Sequence, residues 1–313
     1  PEGNMILDQT TLRNLELTQT LAGEKEGSLL GAIDKCRTSM GRRTLKQWIL
    51  RPLATKDKIE ERQDAVATIA RSSKRLDDLR NNLKGLRDME RLATQLSYNR
   101  SGGRDLVAIG LALERMPHLK SLCKEVDDSL LNKLANDLDV LDMMRIDIQA
   151  NLNDQQPLSL RDGGIIREGI DKKLDELREA AAKGHQWFKD LEVRERARLE
   201  IPSLKVRHNR QIGWYIEVTK THLSKVPEEW NRRQQMTNGN RYVTEELVEW
   251  EEKLVTAASK ANSIEYDMFR DLRDRCRENS RTLGMISSCV AQIDVLQCFA
   301  QVARNRSWTR PDI

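Results

Sequence analysis

Hydrophobic positions along most of this chain recur at steps of three and four, and in one stretch they recur at steps of two. From residue 171 onward, Leu174, Leu177, Ala181, Gly184, Phe188 and Leu191 fall at alternating steps of three and four. Leu247, Trp250, Leu254, Ala257, Ala261, Ile264 and Met268 repeat the pattern. Such heptad spacing predicts two helices, each with a narrow apolar seam. With Leu191 level with Leu247 the two run antiparallel, 171–199 outward and 245–283 back, and Phe188 and Leu254 share one seam. At 1.5 Å per residue the outgoing helix is roughly 43 Å long. The small residues Ala181, Gly184, Ala257 and Ala261 let the two backbones approach closely.

Between the seams the period changes to two. Leu204, Val206 and His208 alternate with Lys205, Arg207 and Asn209; Ile212, Trp214, Ile216 and Val218 alternate with Gly213, Tyr215, Glu217 and Thr219. That pattern predicts two half-buried antiparallel strands joined by the polar turn Asn209, Arg210 and Gln211. Trp214 shares the face of Ile212 and Ile216 and reads as core, and Tyr215 faces the other way. His208, on the face of Leu204 and Val206, reads as a packed or hydrogen-bonded residue.

The first half of the chain reads as a bundle of moderate helices. Leu7, Leu12, Leu15 and Leu17 form an apolar cluster before breaks at Gly23 and Gly27. A helix through Leu45, Trp48 and Ile49 stops at Pro52. Thr55 is placed to cap the next, with Asp57 in its first turn and Ile59, Val66 and Ile69 on one face. Further helices are expected over 83–96 and over 104–116, the latter closed by Pro117, with one or two more across 119–148. Residues 151–157 form the first clear linker. Ile286, Val290, Ile293, Leu296 and Phe299 rejoin the bundle. The expected architecture is mainly α, a helical bundle with a long antiparallel helical stalk that carries a small antiparallel β-sheet at its tip. Its boundaries fall at 1–160 for the first part of the bundle and 161–198 for the outgoing helix. The β-rich segment is 199–246, and 247–313 holds the return helix and the end of the bundle.

Composition sharpens this picture. The chain has 313 residues, 33% charged and 4% aromatic, and a mean hydropathy of −0.66. That suits an extended helical protein with much solvated surface better than a compact enzyme. No window approaches 18 uncharged apolar residues, so no membrane span is expected. The start lacks a basic, apolar signal sequence, and Pro1 in place of Met reads as the start of a piece of something longer. Cys36, Cys123, Cys276, Cys289 and Cys298 show no CxxC spacing and read as buried, reduced thiols. The formal charge is +4, yet residues 204–241 alone hold three Lys and five Arg against three Glu, which is +5. All else therefore sums to about −1. The Asp162-Gly163-Gly164 turn lacks phosphate-loop spacing, and the chain carries no HExxH or GxSxG. No partner stands at ligand spacing from His208, and His222 reads as a loop residue beside the basic patch. Neither an enzyme nor a metal site is expected.

Several segments carry a resemblance. LDQTTLRNLELTQTLAGEKEGSLLGAID, MGRRTLKQWILRPL, RDGGIIREGIDKKLDELR, SLKVRHN followed by GWYIEV, and RRQQMTNGNRYVTEEL resemble, in order and spacing, the DNA mismatch-repair family MutS. The resemblance covers about residues 5–311. It departs at Leu199-Glu200, at Arg207, and at Thr244-Glu245-Glu246-Leu247. It implies the core, lever and clamp part of that family, with the mismatch-reading and connector domains upstream and the ATPase downstream. It further implies two subunits in a ring, whose clamps grip duplex phosphates without reading bases while the levers couple DNA to the ATPase. Implied partners are the double-stranded DNA backbone, a second subunit and downstream repair proteins, in a bacterial-type cytoplasm. ATP and magnesium belong to the full-length family member, and no cofactor is implied for this segment. Phosphate contacts draw on Lys, Arg, amide side chains and backbone N–H groups. The clamp segment supplies Lys205, Arg207, Asn209, Arg210, Gln211, Arg232, Arg233, Gln234, Asn238, Asn240 and Arg241 as candidate DNA-binding residues. Without the resemblance, the seams alone fit a structural coiled coil whose basic tip binds an acidic protein surface or RNA.

Overall fold

The computed structural model describes residues 3–313. Those residues form a mainly α fold with one small antiparallel sheet. Ten helices come first: α1 Gln9–Asn14, α2 Leu29–Ile33, α3 Ser39–Leu50, α4 Lys56–Ala70, α5 Ser73–Leu83, α6 Met89–Ser97, α7 Gly103–Leu113, α8 Met116–Lys124, α9 Ser129–Asp137 and α10 Asp142–Asn151. Helix α11 spans Lys172–Leu199. Then come β1 Lys205–Asn209, β2 Gly213–Thr219, a 3-10 turn Lys220–Lys225, β3 Asn231–Met236 and β4 Gly239–Val243. Helices α12 Glu245–Arg277 and α13 Ser280–Arg306 complete the chain. Two compact units result, one of residues up to Gln156 with Arg270–Ile313, the other Pro157–Phe269.

The first unit is built around α13. It packs against α3, α4, α5, α6 and α9, and Ile286, Val290, Ile293 and Leu296 are wholly buried. This helix corrects the expectation drawn from apolar windows. It is long and apolar enough to cross a membrane by length and composition, and 72% of its most apolar window is buried within the fold. A helix surrounded by others on all sides is hydrophobic all round for that reason. One charge interrupts it. Asp294, with no exposed surface, accepts hydrogen bonds from the N–H of Arg37 at 2.9 Å and of Thr38 at 2.8 Å, and from Thr38 Oγ1 at 2.7 Å. Gln297 Nε2 donates to it as well. Thr38 is the N-cap of α3, so the carboxylate satisfies donors at the start of that helix. Gly41 is obligatory beside it, because a Cβ there would stand 2.1 Å from Asp294 Oδ2. All five cysteines are free and buried.

The bundle boundaries differ from expectation in identifiable ways. Leu83 ends α5 rather than starting the next helix. Gly85, at φ +77°, breaks the chain there, and Asp88 caps α6 through the Arg91 N–H. Pro117 does not close a helix but lies in the first turn of α8, where its missing N–H costs nothing. Residues 119–148 hold the rest of α8 and two more helices, α9 and α10. Thr55 sits at the N-cap of α4 without a side-chain bond.

In the second unit α11 and α12 run antiparallel. Trp187 stacks on Trp250 with centroids 5.1 Å apart. Arg194 grips Glu246 with two hydrogen bonds, of 2.7 and 3.3 Å. Gly184 lies so close to Leu254 that a Cβ would meet its Cδ1 at 2.8 Å. Phe188, Leu191, Leu247 and Leu254 share one buried cluster, as the heptad reading requires. Further along α12 the seam shifts. Glu265 and Phe269 are buried to 2% and 0% exposure where Ile264 and Met268 were expected, and those two are only half-buried. Glu265 accepts from the Ile165 N–H at 2.6 Å and from Arg178 Nη2 at 2.8 Å. Asn262 Nδ2 donates to the Arg161 carbonyl. The Asp162-Gly163-Gly164 turn is thus pinned to α12 and is no phosphate loop. The return helix ends at Arg277, short of the expected 283.

Two outcomes follow from these contacts. Leu254→Asp places a carboxylate against Gly184 in the seam and should destabilise the chain by about 3–5 kcal/mol, read as a lower urea midpoint. Asp294→Ala strands the Arg37 and Thr38 N–H groups in a dry interior. Its expected loss is about 3 kcal/mol, and an unchanged melting temperature would show that α3 does not depend on this carboxylate.

Candidate nucleic-acid interface

The basic segment forms a four-stranded antiparallel sheet in the order β1-β2-β4-β3. Its first hairpin pairs Val206 with Ile216, His208 with Trp214 and Asn209 with Gly213, so the loop is 210–212, one residue later than the expected turn at Asn209, Arg210 and Gln211. Asn209 builds the turn, its Oδ1 accepting from the Gln211 N–H at 2.8 Å, while Gly213 takes φ +80°. That left-handed glycine closes a three-residue hairpin loop. The second hairpin, β3 with β4, was not read from hydrophobic periodicity, because every residue of β3 is exposed and none alternates. The available signal was Asn238-Gly239, a dipeptide that favours tight turns.

One face of the sheet packs on the helices. The Trp214 ring stacks on Phe188 with centroids 4.0 Å apart and planes 1° from parallel. Ile216 and Val218 are fully buried in the same cluster. Trp214 is half-buried and packs against this cluster on the expected face, and Tyr215 is itself buried at 4% exposure. His208 lies beside the Trp214 ring at 5.5 Å but is exposed, so it is less packed than its face implied. Carboxylates of both helices hold backbone donors of the sheet. Glu192 Oε2 accepts from the Val206 N–H at 2.7 Å, and Glu251 Oε1 from the Trp214 N–H at 3.2 Å. Arg196 Nε donates to the Leu204 carbonyl at 2.6 Å. The hydrophobic pattern carries no signal for these three.

The candidate residues separate into groups. Lys205 and Arg207 on β1, Arg210 and Gln211 in the first turn, Arg232, Arg233 and Gln234 on β3, and Asn238 in the second turn are exposed. Asn209 is half-buried and occupied by its turn. Asn240 is 6% exposed and donates to the Tyr242 hydroxyl at 3.1 Å. Arg241 is drawn inward, its guanidinium 4.5 Å above the Tyr215 ring, 3.6 Å from Glu217 and donating to Gln234 Oε1 at 2.8 Å. Lys205, Glu217, Arg241 and Gln234 are cross-strand neighbours in one row, so like charges in it are spaced by Glu217.

Lys205, Arg207, Arg210, Arg232 and Arg233 make no ion pair with a described residue. They do not share one face. Arg232 pairs in register with Tyr242, on the side of Ile216, whereas Lys205 and Arg207 lie on the other side. A register shift at Arg233 turns β3 between them. Arg232 and Arg233 also line a hollow with Glu245 and Glu249 of α12, so acidic groups stand nearer the patch than the sequence indicated. Among the described residues no group of His, Cys, Asp and Glu is arranged to hold a metal.

The profile of the family described as MutS domain III matches residues 10–300. A DNA mismatch repair protein MutS of Lachnoclostridium phytofermentans is 36% identical over 310 residues, 99% of this chain and 33% of that protein. The one of Halothermothrix orenii is 38% identical over 310 residues, 99% and 35%. The one of an Exiguobacterium species is 40% identical over 312 residues, 99% and 37%. This chain spans about a third of the length of those relatives. With its small sheet and both long helices α11 and α12 inside the matched residues, it belongs to the MutS domain III family.

Proposed function

We propose that this chain is the DNA-gripping lever and clamp portion of a mismatch-repair protein, holding duplex DNA by its phosphates. The supporting observation is the set Lys205, Arg207, Arg210, Arg232 and Arg233, five cations exposed on one small sheet with no ion-pair partner. Like charges at this density repel one another, and a phosphodiester backbone relieves the repulsion. Trp214 stacks on Phe188, and Tyr215 is buried to 4% exposure beneath Arg241, so both rings are engaged within the fold. Contacts of this kind position a protein and carry no sequence information.

The anchors on Glu192, Arg196 and Glu251 join the sheet to α11 and α12, so a force on the sheet is passed to both helices. In this reading the helices act as levers that carry DNA contact to the remaining two thirds of a full-length relative. The segment itself is non-enzymatic, requires no cofactor, and works beside a second subunit. Nucleotide chemistry, with ATP and magnesium, belongs to the remainder.

Fluorescence titration of a random-sequence duplex over a salt series tests the proposal. Neutralising five phosphates gives a log–log slope of roughly −4.5, with a Kd on the order of 10⁻⁴ to 10⁻⁶ M at physiological salt. Arg232→Gln with Arg233→Gln should flatten the slope by about 2 and weaken matched and mismatched duplexes alike. An unchanged slope, or a loss confined to the mismatched duplex, would refute phosphate gripping by this sheet. Asn240→Ala, at the buried position, should leave the slope unaltered.

A further inference from the structure

A cavity of about 760 Å³ opens in the first unit, walled by α3, α4, α13 and the terminal residues that follow α13. Trp48, Val66, Phe299, Val302 and Trp308 give it an apolar lining, and Trp308 is 52% exposed. Roughly 300–1,000 Å³ is the usual size of a ligand pocket. Three arginines, Arg62, Arg71 and Arg310, stand in this lining. The Arg62 guanidinium lies over the Trp48 ring, 3.4 Å from its centroid.

Arg62 differs from the hydrogen-bonded arginines near it, and from Arg71 of the same lining, which is exposed. Arg80 donates to the Lys35 carbonyl and to Gln297, Arg304 to the Ala70 carbonyl and Ser73, and Arg310 to Gln63. Arg62 has no hydrogen bond or ion pair with any described residue, although it is half-buried. Burial against apolar walls pushes its pKa down to about 10. A guanidinium carries five donors in a planar fork suited to a carboxylate.

The same surface already accepts extended chain. Gln63 Nε2 donates to the Pro311 carbonyl at 3.2 Å, and Arg310 is tied to Gln63 and Asp64. Trp308 and Pro311 form one wall in this way and leave the Arg62 side unfilled. We propose that this cavity is a docking site for a protein segment bearing an apolar side chain next to a carboxylate, with the carboxylate on Arg62 and the side chain between Trp48, Phe299 and Trp308. The inference does not involve the basic sheet and stands apart from the DNA reading.

The test uses a fluorescein-labelled heptapeptide with a central Phe-Asp pair, and its Phe-Asn counterpart, titrated into the 313-residue chain by anisotropy. Saturable binding is expected, with the Asp peptide tighter by about tenfold, as a charge-assisted pair requires. Arg62→Gln should erase that difference, with an unchanged melting temperature. Val66→Glu supplies Arg62 with an internal carboxylate and should abolish binding of the Asp peptide. Equal affinities of the two peptides for the unaltered chain would overturn the proposal, and so would undiminished binding to Val66→Glu. Saturation by free phenylacetate with no binding of either peptide would make the cavity a small-molecule site and refute docking of a segment.

Discussion

The stack of Trp214 on Phe188 is the contact on which the basic sheet depends. Four strands of five to seven residues bury too little apolar surface to stand alone. Here one face is closed by α11 and α12, and the two parallel rings are its centre. A pair of this kind contributes about 0.5–1.5 kcal/mol beyond the area it buries. Ile216, Val218 and Tyr242 complete the closed face, and Lys205 and Arg207 of β1 lie exposed on the opposite one. Cations gather on a sheet that cannot slide because one of its sides is fixed.

A second device recurs in both units, a carboxylate on a helix that accepts backbone N–H groups from a neighbouring segment. Asp294 does this for the start of α3, Glu265 for residues 165–166, Glu192 for β1 and Glu251 for β2. Backbone donors must find acceptors wherever water is excluded, and a carboxylate on a rigid helix provides one at a defined place. The geometry of each loop is thereby set by a residue on another element. In a chain with so large a charged fraction, these are the charges that shape the fold. Most of the remaining ion pairs are exposed and contribute little.

Much of the architecture was legible in the residues. The 3–4 steps located α11, α12 and α13, and the alternation around Ile216 located β1 and β2 and the faces of their residues. What was missed lay where hydrophobic pattern is silent. Strand β3 has no buried residue and so no period, and Gly85 interrupts an apolar run that otherwise continues through Leu83 and Leu86. Glu265 reads as solvated in a sequence because a lone carboxylate is rarely buried; its partner Arg178 and the Ile165 N–H come from far along the chain. The candidate site was legible as a composition and less so as a list. Which cations stay free depends on cross-strand neighbours, and Arg241 is engaged because register sets it beside Glu217.

The shifted seam of α12 bears on how that helix can move. From Leu247 to Ala261 the buried positions advance by about 3.5 residues per turn, and from Ala261 through Glu265, Phe269 and Leu272 to Cys276 by about 3.75. The first spacing winds a helix left-handed about its neighbour and the second winds it the opposite way. A single helix bearing both cannot be screwed along its axis by one heptad, because a displacement that re-matches one half mismatches the other. Sliding by one heptad is thus closed to α12, whose register is locked by its own sequence.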